Sequence, residues 1–197
     1  ESLATNISPK VIKFISIILI IAAPVVYLIG AHSFWFYTVE DSFISFRYCD
    51  NMLAGKGLVF NNGDSVEGYT NFLWIMLISV PRLIFPFPFA AKLTGLILGV
   101  ALVLAIGLMR PGKKEHPLVG PLAALLVALC PGYQMWSVAG LETLLFTTCL
   151  SIVFLFDGSA TPSKRMLTGT LLGLATLTRP EGALFFCLFV LVKLPFH

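Results

Sequence analysis

Two adjacent carboxylates, Glu40 and Asp41, open the one long polar interval of this chain, Trp35 to Asn71 (WFYTVEDSFISFRYCDNMLAGKGLVFNNGDSVEGYTN), which lies between two strongly apolar regions. Carboxylates so placed have two kinds of chemistry open to them: accepting a proton from a hydroxyl, or ligating a hard cation. Thr38 with Asp41 three residues on has the form of a helix-starting box, and a helix is predicted from Ser42 to Ala54. Gly55-Lys56-Gly57 stops it, Leu58-Val59-Phe60 reads as a short extended piece, and Asn61-Asn62-Gly63-Asp64 reads as a turn because Asn and Gly tolerate positive φ. Helical spacing puts Glu40, Arg47 and Asn51 on one face and Asp41 beside Ser45 and Tyr48. Without catalysis, the acid pair would simply meet the positive end of the helix dipole.

The elements that must position these groups are apolar. With 57% hydrophobic residues, 12% charged residues and a mean hydropathy of +0.91, the chain reads as an integral membrane protein. Its net charge of +3 comes from scattered Lys and Arg without a basic patch, which excludes a nucleic-acid partner. Cys49, Cys130, Cys149 and Cys187 lack CxxC spacing and are expected to be ordinary buried thiols rather than a disulfide framework or a zinc site. His32, His116 and His197 are isolated.

Hydropathy and charge give a topology. Lys10 and Lys13 precede an apolar run, Phe14 to Ala31, long enough to cross a bilayer; it reads as an anchoring span with the N-terminus in the cytoplasm. Phe72 to Phe89 is broken by Pro81, Arg82, Pro86 and Pro88 and is too short to cross, so Asn71 to Pro81 is expected as an interfacial helix with Trp74 at the membrane interface. Ala90 to Met109, Leu118 to Pro131, Leu141 to Phe156, Met166 to Thr178 and Leu184 to Lys193 complete an all-α, polytopic fold of about six spans. The loops at Arg110 to Lys114 and Ser163 to Arg165 then lie inside, by the excess of positive charge on that side. Three polar sets fall outside: residues 32–89, Gly132 to Glu142 (GYQMWSVAGLE), and Thr178 to Gly182 (TRPEG). A charge at membrane depth is costly unless paired or hydrated, which marks Arg179 and Glu181 as functional candidates; an ion pair stapling a helix break at Pro180 is the structural explanation.

Four motifs in order, VEDSFISFRY, GKGLVFNNGDSVEGYTNFLW, AGLET and LTRPEG, resemble those of GT-C membrane glycosyltransferases akin to the mycobacterial cell-wall arabinofuranosyltransferases. The resemblance covers about the last four-fifths of the chain and implies a GT-C-like fold in the bacterial plasma membrane. It also implies a polyprenyl-phosphate sugar donor, or a similar lipid phosphate, at the outer leaflet and a cell-envelope acceptor. By position, Asp41 would be the general base; Glu40 stands where the family pattern carries Asp. Arg47, Glu67, Tyr69, Asn71, Glu142, Arg179 and Glu181 match recurrent polar positions and become candidate substrate-binding residues. Arg47 or Arg179 would face the departing phosphate, and Glu142 would orient the acceptor or join Asp41 around a divalent cation. Family members are longer, so the chain is expected to be a single transmembrane module forming the N-terminal part of a longer fold. The alternative is a shortened, non-catalytic subunit that binds lipid within a larger membrane complex.

Overall fold

The computed structural model describes residues 8–63, 66–109, 116–156 and 161–193. Among them are nine helices and no strand: α1 (Pro9–Ser33), α2 (Ser42–Leu53), α3 (Phe72–Arg82), α4 (Phe89–Leu108), α5 (Val119–Ala128), α6 (Pro131–Val138), α7 (Thr143–Phe156), α8 (Pro162–Thr178) and α9 (Glu181–Lys193).

The boundaries follow local chemistry. α1, α6 and α8 begin with Pro in the first turn, where its missing N–H costs nothing. α2 starts at Ser42 as expected, but Asp41 caps it without a side-chain hydrogen bond, so the Thr38–Asp41 box is not formed. Ser42 Oγ donates instead to the Val39 carbonyl at 2.6 Å. At its other end the Gly55 N–H reaches the Met52 carbonyl and the Lys56 N–H the Asn51 carbonyl, both at 3.0 Å, with Gly55 at φ 75°. This paired closure needs a left-handed residue at the position Gly55 fills. Leu58 to Phe60 forms no strand; Asn51 Nδ2 donates to the Val59 and Phe60 carbonyls at 2.8 and 3.0 Å and holds that segment against α2. Gly63 takes the expected positive φ, while Asp64 lies outside the described residues.

By length and composition α1 and α4 can cross a membrane, and the broken pair α5–α6, bent by 61°, would add a third span. The expectation of about six is not reached on that criterion. α7, α8 and α9 have 14, 17 and 13 residues, about 20–26 Å at 1.5 Å per residue against a hydrocarbon core of about 30 Å. α3, at 11 residues, is too short to cross, in keeping with its proline-broken sequence. Ser163 to Arg165 forms the first turn of α8 rather than a loop, and Arg110 to Lys114 lies outside the described residues.

α4 is the hub, packing on α1, α3, α5, α6 and α7, while α8 packs on α3, α7 and α9. Two cores result. One gathers Ala23, Tyr27, Ala31, Leu102, Val103, Ala124 and Val138 from α1, α4, α5 and α6. The other gathers Phe46, Tyr48, Trp74, Ile75, Ile78, Leu145 and Ala175 from α2, α3, α7 and α8. Cys49 and Cys149 are buried as expected, but Cys130 and Cys187 are exposed; all four are free.

Candidate active site

The polar residues of the second core converge because one turn, Ala139 to Glu142, touches both α2 and α3. Gly140 has φ 90°, and a Cβ there would press on Ser42 and the Phe46 ring, so the turn admits only glycine without strain. The Val39 N–H donates to the Ala139 carbonyl at 3.0 Å, which docks the Thr38–Asp41 segment on this turn. Trp74 Nε1 donates to the Gly140 carbonyl at 3.1 Å from a site only 1% exposed. Trp74 is therefore a core anchor and not the interface residue its position suggested; its indole N–H finds its partner indoors.

Glu142 emerges from this turn at 8% exposure. Its Oε2 accepts from Asn71 Nδ2 at 2.8 Å and its Oε1 from Arg179 Nη1 at 3.1 Å. Asn71 Nδ2 also donates to Ser45 Oγ at 2.9 Å, whereas the buried Asn71 Oδ1 has no partner. Arg179, extended at the C-cap of α8, turns its other edge to Glu181: Nη2 donates to Oε1 at 3.1 Å and Nε to Oε2 at 3.4 Å. Four expected site residues, Asn71, Glu142, Arg179 and Glu181, thus form one hydrogen-bonded chain drawn from three distant motifs. The hydrogen bond from Arg179 holds the Glu181 carboxyl below its ordinary pKa. The same bond, reinforced by the charges of Glu142 and Glu181, raises the Arg179 guanidinium above its own despite desolvation.

The other expected residues are placed apart. Glu40 and Asp41 are exposed beside the docked turn, and among the described residues their side chains make no hydrogen bond or ion pair. Glu67 is exposed. The Tyr69 ring packs at a tilt of 58° against that of Tyr48, their centres 4.7 Å apart, and burial, then the charge of Glu67, raises its hydroxyl pKa. Tyr48 OH bridges the loop by donating to the Val66 carbonyl and accepting from the Gly68 N–H. Arg47 donates Nε to the Phe60 carbonyl at 3.1 Å, sharing that acceptor with Asn51 as their common helix face requires. At about 100° per residue, Arg47 sits roughly 200° around α2 from Ser45, on the side away from the Glu142 cluster.

Around Asp41 and Glu142, the pair named for a divalent cation, each Glu142 oxygen accepts one hydrogen bond, from Asn71 and from Arg179, and among the described residues no three His, Cys, Asp or Glu side chains gather as ligands. One residue that shapes the site escaped the sequence reading. Lys92, on the first turn of α4 and 3% exposed, donates Nζ to the Trp35 and Tyr37 carbonyls at 2.5 and 2.7 Å, fixing the chain just before the acid pair. A lone lysine inside the apolar run FAAKLTGL was the available signal.

The chain is 30% identical over 163 residues to the terminal beta-(1->2)-arabinofuranosyltransferase of Mycobacterium tuberculosis, a match covering 74% of this chain and 26% of that protein. No family model matches the chain, and no solved structure matches it. The likeness is to part of a glycosyltransferase, and it extends to a chain whose helices include membrane-spanning candidates.

Proposed function

We propose that this chain is the sugar-transfer part of a GT-C membrane glycosyltransferase in a bacterial plasma membrane. It moves a sugar from a polyprenyl-phosphate donor to a cell-envelope hydroxyl on the extracytoplasmic face, with inversion at the anomeric carbon. The reading keeps six membrane crossings and a cytoplasmic N-terminus. The observation that carries it is the Ala139–Glu142 turn, which docks on the segment bearing Glu40 and Asp41 while its own Glu142 ties Asn71 to Arg179. The likeness to an arabinofuranosyltransferase supports the same reaction class.

In this reading Asp41, exposed and unpaired among the described residues, takes the acceptor proton as the hydroxyl oxygen attacks the anomeric carbon and the sugar–phosphate bond breaks. Glu40 assists in holding the acceptor. Arg179 is anchored by two carboxylates through three of its N–H groups; the remaining N–H groups face the departing phosphate as its charge develops. Glu142 and Asn71 orient hydroxyls of the bound sugar, Glu181 holds the arginine, and Tyr69 and Glu67 line the approach from the loop. Partner subunits and the parts of a longer chain complete the acceptor site.

The test is transfer of labelled sugar from a polyprenyl-phosphate arabinofuranose donor by the full-length protein. Asp41→Asn is expected to fold and bind donor but to turn over about 10²-fold more slowly, because it removes only the proton acceptor. Glu40→Gln should cost less. Equal turnover in wild type and Asp41→Asn would refute the assignment of the base, and inactivity of both would favour a non-catalytic subunit.

A further inference from the structure

The second cationic feature of the molecule lies on the far side of α2. A groove of about 540 Å³ is lined by Arg47, Asp50, Asn51, Leu53, Ala54, Lys56, Arg82 and Leu83. Three cations and one carboxylate meet there. The carboxylate is committed: Arg82 Nε donates to Asp50 Oδ1 at 2.7 Å, and the Arg82 guanidinium lies 5.4 Å from the centre of the Phe87 ring, which stacks at 4.2 Å on Phe46. Arg82 is thereby held in place with its charge largely balanced. Arg47 and Lys56 are not balanced; among the described residues neither pairs with an acid. Arg47 spends Nε on the Phe60 carbonyl and leaves its outer nitrogens to the groove.

Beside these cations the chain exposes a block of apolar side chains. Leu83 and Ile84 are 73% and 78% exposed, and Phe85 is also exposed, directly after Arg82. A water-facing tip of that kind would cost apolar hydration, while a bilayer takes it up as the interfacial half of an amphipathic surface. The groove is separate from the Glu142 cluster. Its lining faces away from Ser45 around α2, and Arg82 lies eleven residues along α3 from Asn71, about 16 Å.

We propose that this groove is a binding site for the phosphate of an anionic membrane lipid. Arg47 and Lys56 contact the phosphate oxygens, Arg82 and Asp50 form the polar floor, and the Leu83–Phe85 tip enters the acyl region beside the headgroup. The uncompensated charge selects a headgroup of net negative charge over a zwitterionic one, whose own ammonium balances its phosphate, and the adjoining apolar tip selects a lipid over a soluble phosphate. The site holds whether or not the chain transfers sugar, since it uses neither Asp41 nor Arg179.

The experiment is retention of lipid by the full-length protein in mild detergent, read by native mass spectrometry after exchange against equal amounts of phosphatidylglycerol and phosphatidylcholine. Wild type is expected to retain phosphatidylglycerol preferentially. Lys56 lies exposed just past the end of α2 with only its backbone N–H engaged in the cap. Lys56→Gln should therefore fold normally and lose about fivefold in retention, the weight of one basic charge near a membrane surface, with Lys56→Glu losing more. Equal retention of the two lipids, or unchanged retention in Lys56→Glu, would overturn the proposal. Displacement of the lipid by inorganic phosphate at matched concentration would overturn it in favour of a soluble anion.

Discussion

The two cores of this molecule are held together in opposite ways. Around α1, α4, α5 and α6 the helices meet through small residues: a Cβ on Gly95 would overlap the Ser137 carbonyl oxygen, and one on Gly99 would overlap the Tyr27 hydroxyl. Around α2, α3, α7 and α8 they meet through polar cross-links, from Asn71 to Ser45 and Glu142 and from Glu142 to Arg179. The difference separates two kinds of tolerance. A region whose backbones touch is sensitive above all to added volume, because there is no void in which an added atom could be placed. A region joined by buried hydrogen bonds is sensitive to removal of any one partner, because the others are then stranded.

The largest effect that would break this contrast is expected at Gly95. Gly95→Ala should cost on the order of 3 kcal/mol or prevent folding, since the overlap is with backbone that no rotamer change relieves. Gly173→Ala, with nothing within 4 Å of the added Cβ, is the control and should be neutral or slightly stabilising as an ordinary helix position. Thermal unfolding in detergent, followed by circular dichroism, distinguishes them; equal melting of the two variants would remove the volume argument.

A smaller effect is expected in the polar region. Glu142→Leu strands the Arg179 guanidinium edge and one Asn71 N–H, at a cost of about 2 kcal/mol after allowing for the partial exposure of Arg179. Adding Arg179→Met to Glu142→Leu should cost less than the sum of the two single changes. Strict additivity in that double-mutant cycle would mean that the pair is not coupled.

The smallest effect sharpens the same point at the solvent edge. Glu181 has a folded-state pKa below its ordinary value, so its contribution is present above its unfolded pKa of about 4.3 and is lost as pH falls through the lower folded value. Melting temperatures should therefore drop slightly more on acidification in wild type than in Glu181→Gln. Parallel acid profiles would show that the Arg179–Glu181 contact contributes nothing in solution.

The membrane class, the helix from Ser42, its stop at Gly55 and the short α3 before Pro86 were all legible in sequence, because each rests on composition or on residues a few positions apart. The grouping of Asn71, Glu142, Arg179 and Glu181 was legible only as membership of motifs; nothing local says that residues 71 and 142 share a hydrogen bond. Tertiary structure alone turned Trp74 inward, committed both Glu142 oxygens, set Lys92 to hold the Trp35–Tyr37 backbone, and faced Arg47 away from Arg179. Periodicity gives each helix a face but not a neighbour. The neighbour is chosen where glycines let backbones approach and where a buried polar group must find a partner, and both depend on residues far apart in the chain.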